Sequence, residues 1–503
     1  MENVLLGFET ALSLSNLLYC FLGVFLGTFV GVLPGIGASA AVAMLLPISF
    51  YLDPTTALVM LAGVYYGAEY GGSTASILLN LPGTSSNAIT CLDGYAMTRQ
   101  GRAGTALVTS ALSSFVGGSI GILALIFLTP MIVRVALSFG AAEYFAALLL
   151  GLIASAGVAQ GSPLKGLAMV VGGLMLGLVG IDVNTGTYRF TLGFIDLYDG
   201  VELVVVAMGL FGVAEVIGAI GHGAAGHRVA HVKLREMIPT RDDVRRSIFP
   251  TLRGTAIGGL LGALPATGPT LSAFMSYAAE KRLARDPTRF GNGAIEGVAG
   301  PEAANNAAAQ TSFIPTLALG IPGSATMAIM FGALLIHGIT PGPRLIVDHP
   351  DLFWGLVASF WIGNVLLVAL NIPLIGLWVR ILQIPNRFLN PAIICFVCIG
   401  AFSLNNSLFD VWMVLIFGLL GYGLRLLQLE PAPFLIGFIL GPMLEENFRR
   451  AMLLAGGDAW RVVERPVAGP ILGVALLMLV AMLGAPLLGW QRERRARLVA
   501  KGG

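Results

Sequence analysis

Two proline-glycine breaks place hydroxyl and amide side chains inside otherwise apolar stretches. The first break reads LNLPGTSSN at 79–87 and the second LGIPGSATM at 319–327. Proline ends the hydrogen bonding of a helix, and glycine admits backbone conformations closed to other residues. A helix that starts after such a break presents free N–H groups and a partial positive charge, which can hold a carboxylate without Arg or Lys. We therefore expect an anionic substrate to contact Asn80, Pro82, Gly83, Thr84, Ser85, Ser86, Asn87, Gly320, Pro322, Gly323, Ser324 and Thr326.

A glycine-rich motif precedes each break. The motifs read GVLPGIGAS at 31–39 and GALPATGPT at 262–270. Carbonyl groups freed at such interruptions can coordinate a cation. The candidate sodium ligands are Gly35, Gly37, Ser39, Thr267, Gly268 and Thr270. Helix kinking and close packing are the alternative, since membrane helices use Gly, Ser and Thr for both; the matched pairs favour a site.

A polar stretch, PEAANNAAAQTSFIP at 301–315, carries Glu302, Asn305, Asn306 and Gln310 at about helical spacing. Leaving such groups unpaired in lipid costs several kcal/mol each, so they must meet one another, a cavity or a ligand. Asn305 and Asn306 are therefore predicted to bind substrate, and a structural polar cluster is the alternative. Glu69 forms a similar but less specific group with nearby hydroxyls.

The two sets of motifs match at fixed offsets. Gly23, Gly27, Gly31 and Pro34 correspond to Gly254, Gly258, Gly262 and Pro265 in sequence order. Paired interruptions at corresponding positions of two halves indicate the substrate site of a membrane transporter built from repeats.

The composition requires a membrane. Of 503 residues, 56% are hydrophobic and only 11% are charged, whereas soluble domains carry about 25% charged residues. A net charge of +2 does not suggest nucleic-acid binding, and four cysteines do not form a disulfide framework. We predict an all-α polytopic membrane protein of about a dozen elements. The predicted spans are 12–33, 56–79, 104–130, 141–160, 166–181, 201–221, 352–379, 388–403, 408–424 and 467–489, with re-entrant or broken helices at 34–50, 81–96, 265–280 and 321–337.

Charge in the connections predicts the orientation. The basic loop at 222–253 and the tail from 491 fit the cytoplasm, whereas the acidic loop at 182–200 and the N-terminus fit the exterior. The halves then have inverted topology and meet at one anion site. The predicted division is inverted repeat 1 at 1–222, a basic cytoplasmic linker at 223–253, inverted repeat 2 at 254–450, and a C-terminal transmembrane helix with a basic tail at 451–503.

The motifs resemble those of the large membrane subunit of the tripartite tricarboxylate transporters. The matching stretches are GVLPGIGAS (31–39), YGGSTASILLNLPGTSSNAITCLDGYAM (70–97), GPEAANNAAAQ (300–310) and IPTLALGIPGSATMAIMFGALLIHGITPGPRL (314–345). The resemblance implies a bacterial inner-membrane permease that imports di- or tricarboxylates or related organic acids with Na⁺ or H⁺. It also implies an elevator-type mechanism, a small membrane subunit and a periplasmic solute-binding protein as partners, and a homo-oligomer of the complex as one form of assembly.

Three other functions stay open on the residues alone. The first is a standalone carboxylate symporter that needs no binding protein. The second is a membrane-embedded lipid enzyme, which would need a catalytic set beyond Glu69 and Glu302, and the third is an assembly scaffold. The chain has no nucleotide-binding P-loop, so we expect transport to be driven by an ion gradient or by a partner and not by ATP hydrolysis in this chain. We expect the protein to be no enzyme and to use no cofactor other than the coupling ion, Na⁺ or H⁺.

Overall fold

The computed structural model describes residues 2–159, 162–182, 184–220, 237–265, 267–382, 384 and 386–501. Its contacts divide the chain into unit 1, Met1–Leu137 with Glu202–Tyr422, and unit 2, Ser138–Val201 with Gly423–Gly503. Residues 223–236 of the predicted basic linker lie outside the described residues.

Unit 1 is built from helices. In its first segment they are α1 (Glu2–Ala11), α2 (Leu14–Val32), α3 (Gly37–Ser49), α4 (Pro54–Leu79), a 3-10 helix (Ser85–Ala88), a π-helix (Cys91–Tyr95), α5 (Ala96–Arg99) and α6 (Ala103–Ala136). In its second segment they are α9 (Leu203–Ala207), a π-helix (Met208–Val213), α10 (Ala214–Ile220), α11 (Arg241–Gly262), α12 (Gly268–Leu283), a 3-10 helix (Pro287–Arg289), α13 (Glu296–Thr311), α14 (Phe313–Leu319), α15 (Ala325–Ile336), α16 (Pro343–Asp348), α17 (Pro350–Asn371), α18 (Ile375–Ile381), α19 (Asn386–Asn405) and α20 (Leu408–Leu426), whose residues after Tyr422 belong to unit 2.

Unit 2 combines helices with one short antiparallel pair of strands. Its elements are α7 (Ala141–Val158), α8 (Pro163–Gly177), β1 (Gly180–Ile181), β2 (Tyr188–Arg189), a 3-10 helix (Ile195–Leu197), α21 (Pro431–Leu454), α22 (Ala459–Val463) and α23 (Ala468–Lys501). In the strand pair, Gly180 is opposite Arg189 and Ile181 is opposite Tyr188.

The described helices fit a polytopic membrane protein. Six of them are long and apolar enough to cross a bilayer, namely α2, α6, α7, α17, α20 and the 388–405 part of α19. The predicted span at 352–379 instead ends at Asn371 and resumes as α18. Pro373 lies in this gap, and proline supplies no N–H and disfavours a helical conformation before it.

Glycine ridges pack helix pairs closely at corresponding places in the two halves. A Cβ added to Gly23, Gly27 or Gly31 of α2 would collide with the backbone of Met60, Val64 or Ala68 of α4, respectively. A Cβ on Gly254, Gly258 or Gly262 of α11 would likewise collide with Gly300, Ala304 or Ala308 of α13. The sequence match between the glycines is therefore also a match in packing.

Helices α4 and α13 are enclosed by protein on all sides. All residues of 55–79 and of 297–311 are buried. A helix enclosed all round can carry polar groups only where other protein groups or a ligand meet them. These two helices carry the buried carboxylates Glu69 and Glu302.

Both helices that lead into the breaks end in a left-handed residue. Asn80 follows α4 with φ 59°, and Gly320 follows α14 with φ 71°. Asn and Gly are the residues that adopt this conformation at a helix end most readily. The two breaks therefore begin with the same change of chain direction.

Candidate functional site

The Glu302 carboxylate is surrounded by donors. Its Oε2 accepts hydrogen bonds from Ser73 Oγ at 2.5 Å and Ser110 Oγ at 3.0 Å, and its Oε1 accepts one from Thr90 Oγ1 at 2.6 Å. Longer bonds come from Ser114 Oγ and Asn87 Nδ2, both at 3.4 Å. Glu302 therefore joins α13 to α4, α6 and the segment after the first break, with its acceptor capacity used by protein donors.

The Glu69 carboxylate meets hydroxyls from the first break. Its Oε2 accepts hydrogen bonds from Ser86 Oγ and, at 3.1 Å, from Thr84 Oγ1. Thr84 Oγ1 also lies 2.5 Å from Asn87 Oδ1, and Asn87 Nδ2 donates to Ser73 Oγ at 2.9 Å. These three break residues, predicted to contact substrate, thus bind the two carboxylates inside the protein.

This inward orientation changes the segment after the first break. The sequence predicts a helix start there, whereas the structure has a 3-10 turn followed by a π-helix. The segment packs too closely against α2 and α4 for side chains at its glycine contacts. A Cβ on Gly83 would collide with Gly31 O and Gly72 Cα, and a Cβ on Gly72 would collide with Asn87 Oδ1. After the second break a regular helix does begin, and Ser324 caps it by accepting from Met327 N at 3.2 Å.

Two fully buried side chains near Glu69 lack hydrogen bonds. Asn305 lies beside Glu69, but neither its Nδ2 nor its Oδ1 reaches hydrogen-bonding geometry. The Tyr65 hydroxyl lies near Ser312 and Ser324, also outside that geometry. Each residue is only 1% exposed. Buried polar groups are rarely left unpaired, so this cluster points to something that they bind.

The starts of α3, α12 and α15 come together. Ser39 Oγ of α3 lies 2.9 Å from Thr326 Oγ1 of α15. A Cβ on Gly268 at the start of α12 would lie 3.4 Å from Ser324 Cβ at the start of α15. Ser85 Oγ after the first break lies 2.9 Å from Thr270 Oγ1 of α12. The predicted residues of the two halves therefore meet across these helix starts.

Two of these helix starts have no side-chain cap. Ile36 precedes α3 and Thr267 precedes α12, and neither side chain accepts a hydrogen bond from the first turn. The first four N–H groups of a helix have no partner within it. Helices α2, α3, α4, α13, α14 and α15 contain no Lys, Arg or His, and the basic residues of α12, Lys281 and Arg282, lie in its last turn, away from its start. The helix ends themselves are thus the positive groups available to an anion here.

Other predicted residues have structural contacts. Gly35 N and Gly37 N donate to the carbonyls of Pro82 and Gly83 at 3.4 and 3.2 Å. Gly323 N donates to Thr316 Oγ1 at 3.3 Å, and Pro322 is buried next to it.

Two more predicted ligands bond within their own segments. Asn306 Nδ2 donates to Glu302 O of its own helix at 3.2 Å. Thr267 Oγ1 donates to Leu261 O and, at 3.1 Å, to Leu264 O. Gly35, Gly37 and Gly268 have φ values of 89°, 69° and 59°, which fits their place at tight turns.

Among the described residues, no group of three or more His, Cys, Asp or Glu side chains could hold a metal ion.

Asp93 is an important buried residue that sequence reasoning missed. Its carboxylate accepts from the backbone N–H groups of Gly291, Gly293 and Ala294 at 2.9, 2.8 and 2.8 Å, and from Tyr277 Oη at 2.9 Å. It ties the π-helix after the first break to the turn before α13. An acidic residue inside the apolar stretch ITCLDGYAM was the available signal.

One family model and two relatives match the chain. The model of the tripartite tricarboxylate transporter TctA family matches residues 17–436. An uncharacterized 52.8 kDa protein in the TAR-I ttuC′ 3′ region of Agrobacterium vitis is 53% identical over 483 residues, which are 96% of each chain. An uncharacterized protein in the TAR-II ttuC′ 3′ region of the same organism is 56% identical over 226 residues, 45% of this chain and 93% of that one. No solved structure matches the chain.

Proposed function

Because the chain belongs to the tripartite tricarboxylate transporter TctA family, we propose that it is the permease subunit that imports a di- or tricarboxylate or a related organic acid. Import is coupled to Na⁺ or H⁺ and depends on a periplasmic solute-binding protein and a small membrane subunit. The protein is a multi-pass component of the bacterial inner membrane, with its N-terminus periplasmic and its C-terminus cytoplasmic. It acts as a transporter and not as an enzyme.

The meeting of the α3, α12 and α15 starts supports a carboxylate as the substrate. Two of these ends lack side-chain caps, and hydroxyls of Ser39, Thr270 and Thr326 line them. Helix N-termini bind anions through free N–H groups and the helix dipole. An anion held without Lys or Arg can also be released more readily, which a transporter needs.

Uptake into proteoliposomes tests this function. The complete complex is reconstituted with its small subunit, and labelled citrate and other di- and tricarboxylates are supplied with and without the binding protein. We expect uptake that needs the binding protein and an inward sodium or proton gradient. Uptake without the binding protein would support a standalone symporter, and uptake indifferent to both gradients would contradict cation coupling.

Variants at the helix starts test the site. Thr326→Val and Ser39→Ala each remove a hydroxyl from the α3–α15 contact, and we expect the half-saturating substrate concentration to rise about tenfold, as for a lost hydrogen bond to a charged group. Ser403→Ala is the control, because its hydroxyl bonds only Ile399 O of its own helix, at 2.8 Å. An unchanged half-saturating substrate concentration in both site variants would show that the substrate binds elsewhere.

A further inference from the structure

We propose that Glu69, Asn305 and Tyr65 form the binding site for one sodium ion, at a place distinct from the glycine loops predicted from sequence. The proposal rests on the cation-coupled function proposed above and assigns the cation to particular side chains. It starts from a buried charge without a counter-ion and from two buried polar groups without hydrogen bonds.

Glu69 has no positive partner in its surroundings. It is 4% exposed, and five helices that pack against its own helix, α2, α3, α13, α15 and α17, contain no Lys, Arg or His. The ionisable groups that face it are Tyr65 and Glu302, neither of which supplies positive charge. A buried carboxylate without a counter-charge is strongly disfavoured. Glu69 must therefore be neutralised, either by a proton or by a bound cation, and the unpaired oxygen atoms beside it favour the cation.

The neighbouring oxygen atoms suit a small hard cation. The carboxylate of Glu69 already accepts from Thr84 and Ser86, while Asn305 Oδ1 and Tyr65 Oη have no hydrogen bond. Carboxylate, amide carbonyl and hydroxyl oxygens are the ligands that hard cations prefer. One carboxylate balances one positive charge, which favours a monovalent ion over a divalent one.

Glu302 provides the internal contrast. It is as deeply buried as Glu69, at 1% exposure. Its carboxylate, however, accepts hydrogen bonds from Ser73, Thr90 and Ser110 at 3.0 Å or less. Because protein donors occupy its oxygens, Glu302 is not the sodium ligand.

The sodium site adjoins the proposed substrate site through Ser324. The Tyr65 hydroxyl lies near the Ser324 side chain, and Ser324 caps α15 and neighbours Gly268 of α12. An ion that fixes Tyr65 and Ser324 would also fix the start of α15. Binding of the ion and of the carboxylate would then favour each other, as linked sites do.

Thermal unfolding of the purified full-length protein in detergent tests the proposal without transport. Sodium chloride is titrated against choline chloride at constant ionic strength and pH, and the unfolding midpoint is measured. We expect a saturable rise of the midpoint with sodium, as for any ligand of the folded state. Glu69→Gln should abolish the rise, and Tyr65→Phe and Asn305→Ala should each raise the half-saturating sodium concentration about tenfold.

Glu302→Gln is the matched control, because it removes a buried carboxylate outside the sodium site. Its midpoint without sodium should fall, but its sodium-dependent rise should remain. A sodium response that survives in Glu69→Gln, Tyr65→Phe and Asn305→Ala overturns the proposal. A midpoint that responds to acidification and not to sodium overturns it in favour of a bound proton.

The outcome is separable from that of the proposed function. Sodium binding at Glu69 without any carboxylate uptake would contradict the transport function and leave the site standing. Sodium-driven uptake that persists in Glu69→Gln would contradict the site and leave the function standing.

Discussion

Hydroxyl donors determine how single buried carboxylates are accommodated in unit 1. Thr90, Ser73 and Ser110 each place an oxygen within 3.0 Å of the Glu302 carboxylate. Hydrogen bonds to charged groups are stronger than those between neutral groups, and a buried charge that loses one pays the desolvation penalty. The threonines and serines of this region are therefore not interchangeable with apolar residues of the same shape.

Thr90→Val tests this at one donor. The change keeps the volume and removes the 2.6 Å bond to Glu302 Oε1, so we expect a loss of about 1.5–3 kcal/mol in the free energy of unfolding. Denaturant unfolding in detergent measures it. Thr28→Val is the control, since Thr28 is equally buried but donates only to Val24 O of its own helix. Equal losses of unfolding free energy in the two variants would show that the hydrogen bond to Glu302 stabilises the protein no more than the bond of Thr28 within its own helix.

Asp182, which lies outside the predicted membrane spans, makes the stability of unit 2 depend on pH. The backbone N–H of Asn184 donates to it at 3.0 Å, and with Thr185 and Arg449 it lowers the pKa of Asp182 to about 2. Because the pKa of Asp182 in the folded protein lies below its ordinary value, the ionised carboxylate stabilises the folded state. This stabilisation is complete above about pH 4 and is lost as the pH falls towards 2.

Hydrogen exchange at the Asn184 amide reports this change. After correction for intrinsic rates, we expect its protection to fall between about pH 4 and 2. Asp182→Asn should weaken the protection at neutral pH as well, whereas Asp196→Asn, at an exposed position of the same loop, should not. Protection that is constant down to pH 2 would exclude this role of Asp182.

At the scale of helices, both halves of the chain contain a helix pair whose backbones are in direct contact, α2 with α4 and α11 with α13. The glycines of α2 and α11 let each helix approach α4 or α13 along one face. Small residues allow such close approach, which favours helix association in membranes. Because α4 and α13 carry Glu69 and Glu302, these ridges also set the positions of the buried carboxylates.

Two adjacent glycines of α11 allow a matched test of the ridge. A Cβ on Gly258 would collide with Ala304 O, whereas one on Gly259 meets nothing within 4 Å. We expect Gly258→Ala to lower the free energy of unfolding by about 1–3 kcal/mol through overpacking. Gly259→Ala should be neutral or stabilising by up to about 1 kcal/mol, from helix propensity. Thermal unfolding of both variants decides it, and similar midpoints would contradict the close approach.

For the whole molecule, the central prediction is inverted topology of the two halves. It follows from charge, because the loop at 182–200 is acidic and the connection that ends in α11 is basic. The shared packing of α2 with α4 and of α11 with α13 is compatible with two related halves.

Labelling of single cysteines tests the orientation. In a variant without Cys20, Cys91, Cys395 and Cys398, Asp199→Cys should react with an impermeant maleimide in intact cells. Arg285→Cys lies in the loop KRLARDPTR at 281–289, whose basic residues predict a cytoplasmic position, so it should react only after the membrane is permeabilised. Both positions are exposed in the structure. Labelling of both from the same side would contradict the predicted topology.

Local sequence patterns predict where helices end, but they do not predict which side chains contact one another. The breaks after Leu79 and Leu319 follow from Pro and Gly in the chain itself, and the structure ends helices at both. The inward direction of Thr84 and Ser86 depends on Glu69, which lies on an earlier helix, so no local pattern indicates it. The same holds for Asp93, whose partners come from the turn before α13.

The discontinuous make-up of unit 2 also has a consequence for its biogenesis. Helices α7 and α8 pack on α21, where a Cβ on Gly173 would collide with Phe434 O, yet unit 1 supplies all the residues between 202 and 422. At about 5–20 residues per second of synthesis, the first segment of unit 2 waits for tens of seconds before α21 is made. During that interval Gly173 and Gly177 of α8 lack α21, the helix that they pack against in the folded protein. The insertion machinery must therefore shelter them until the ribosome has nearly finished.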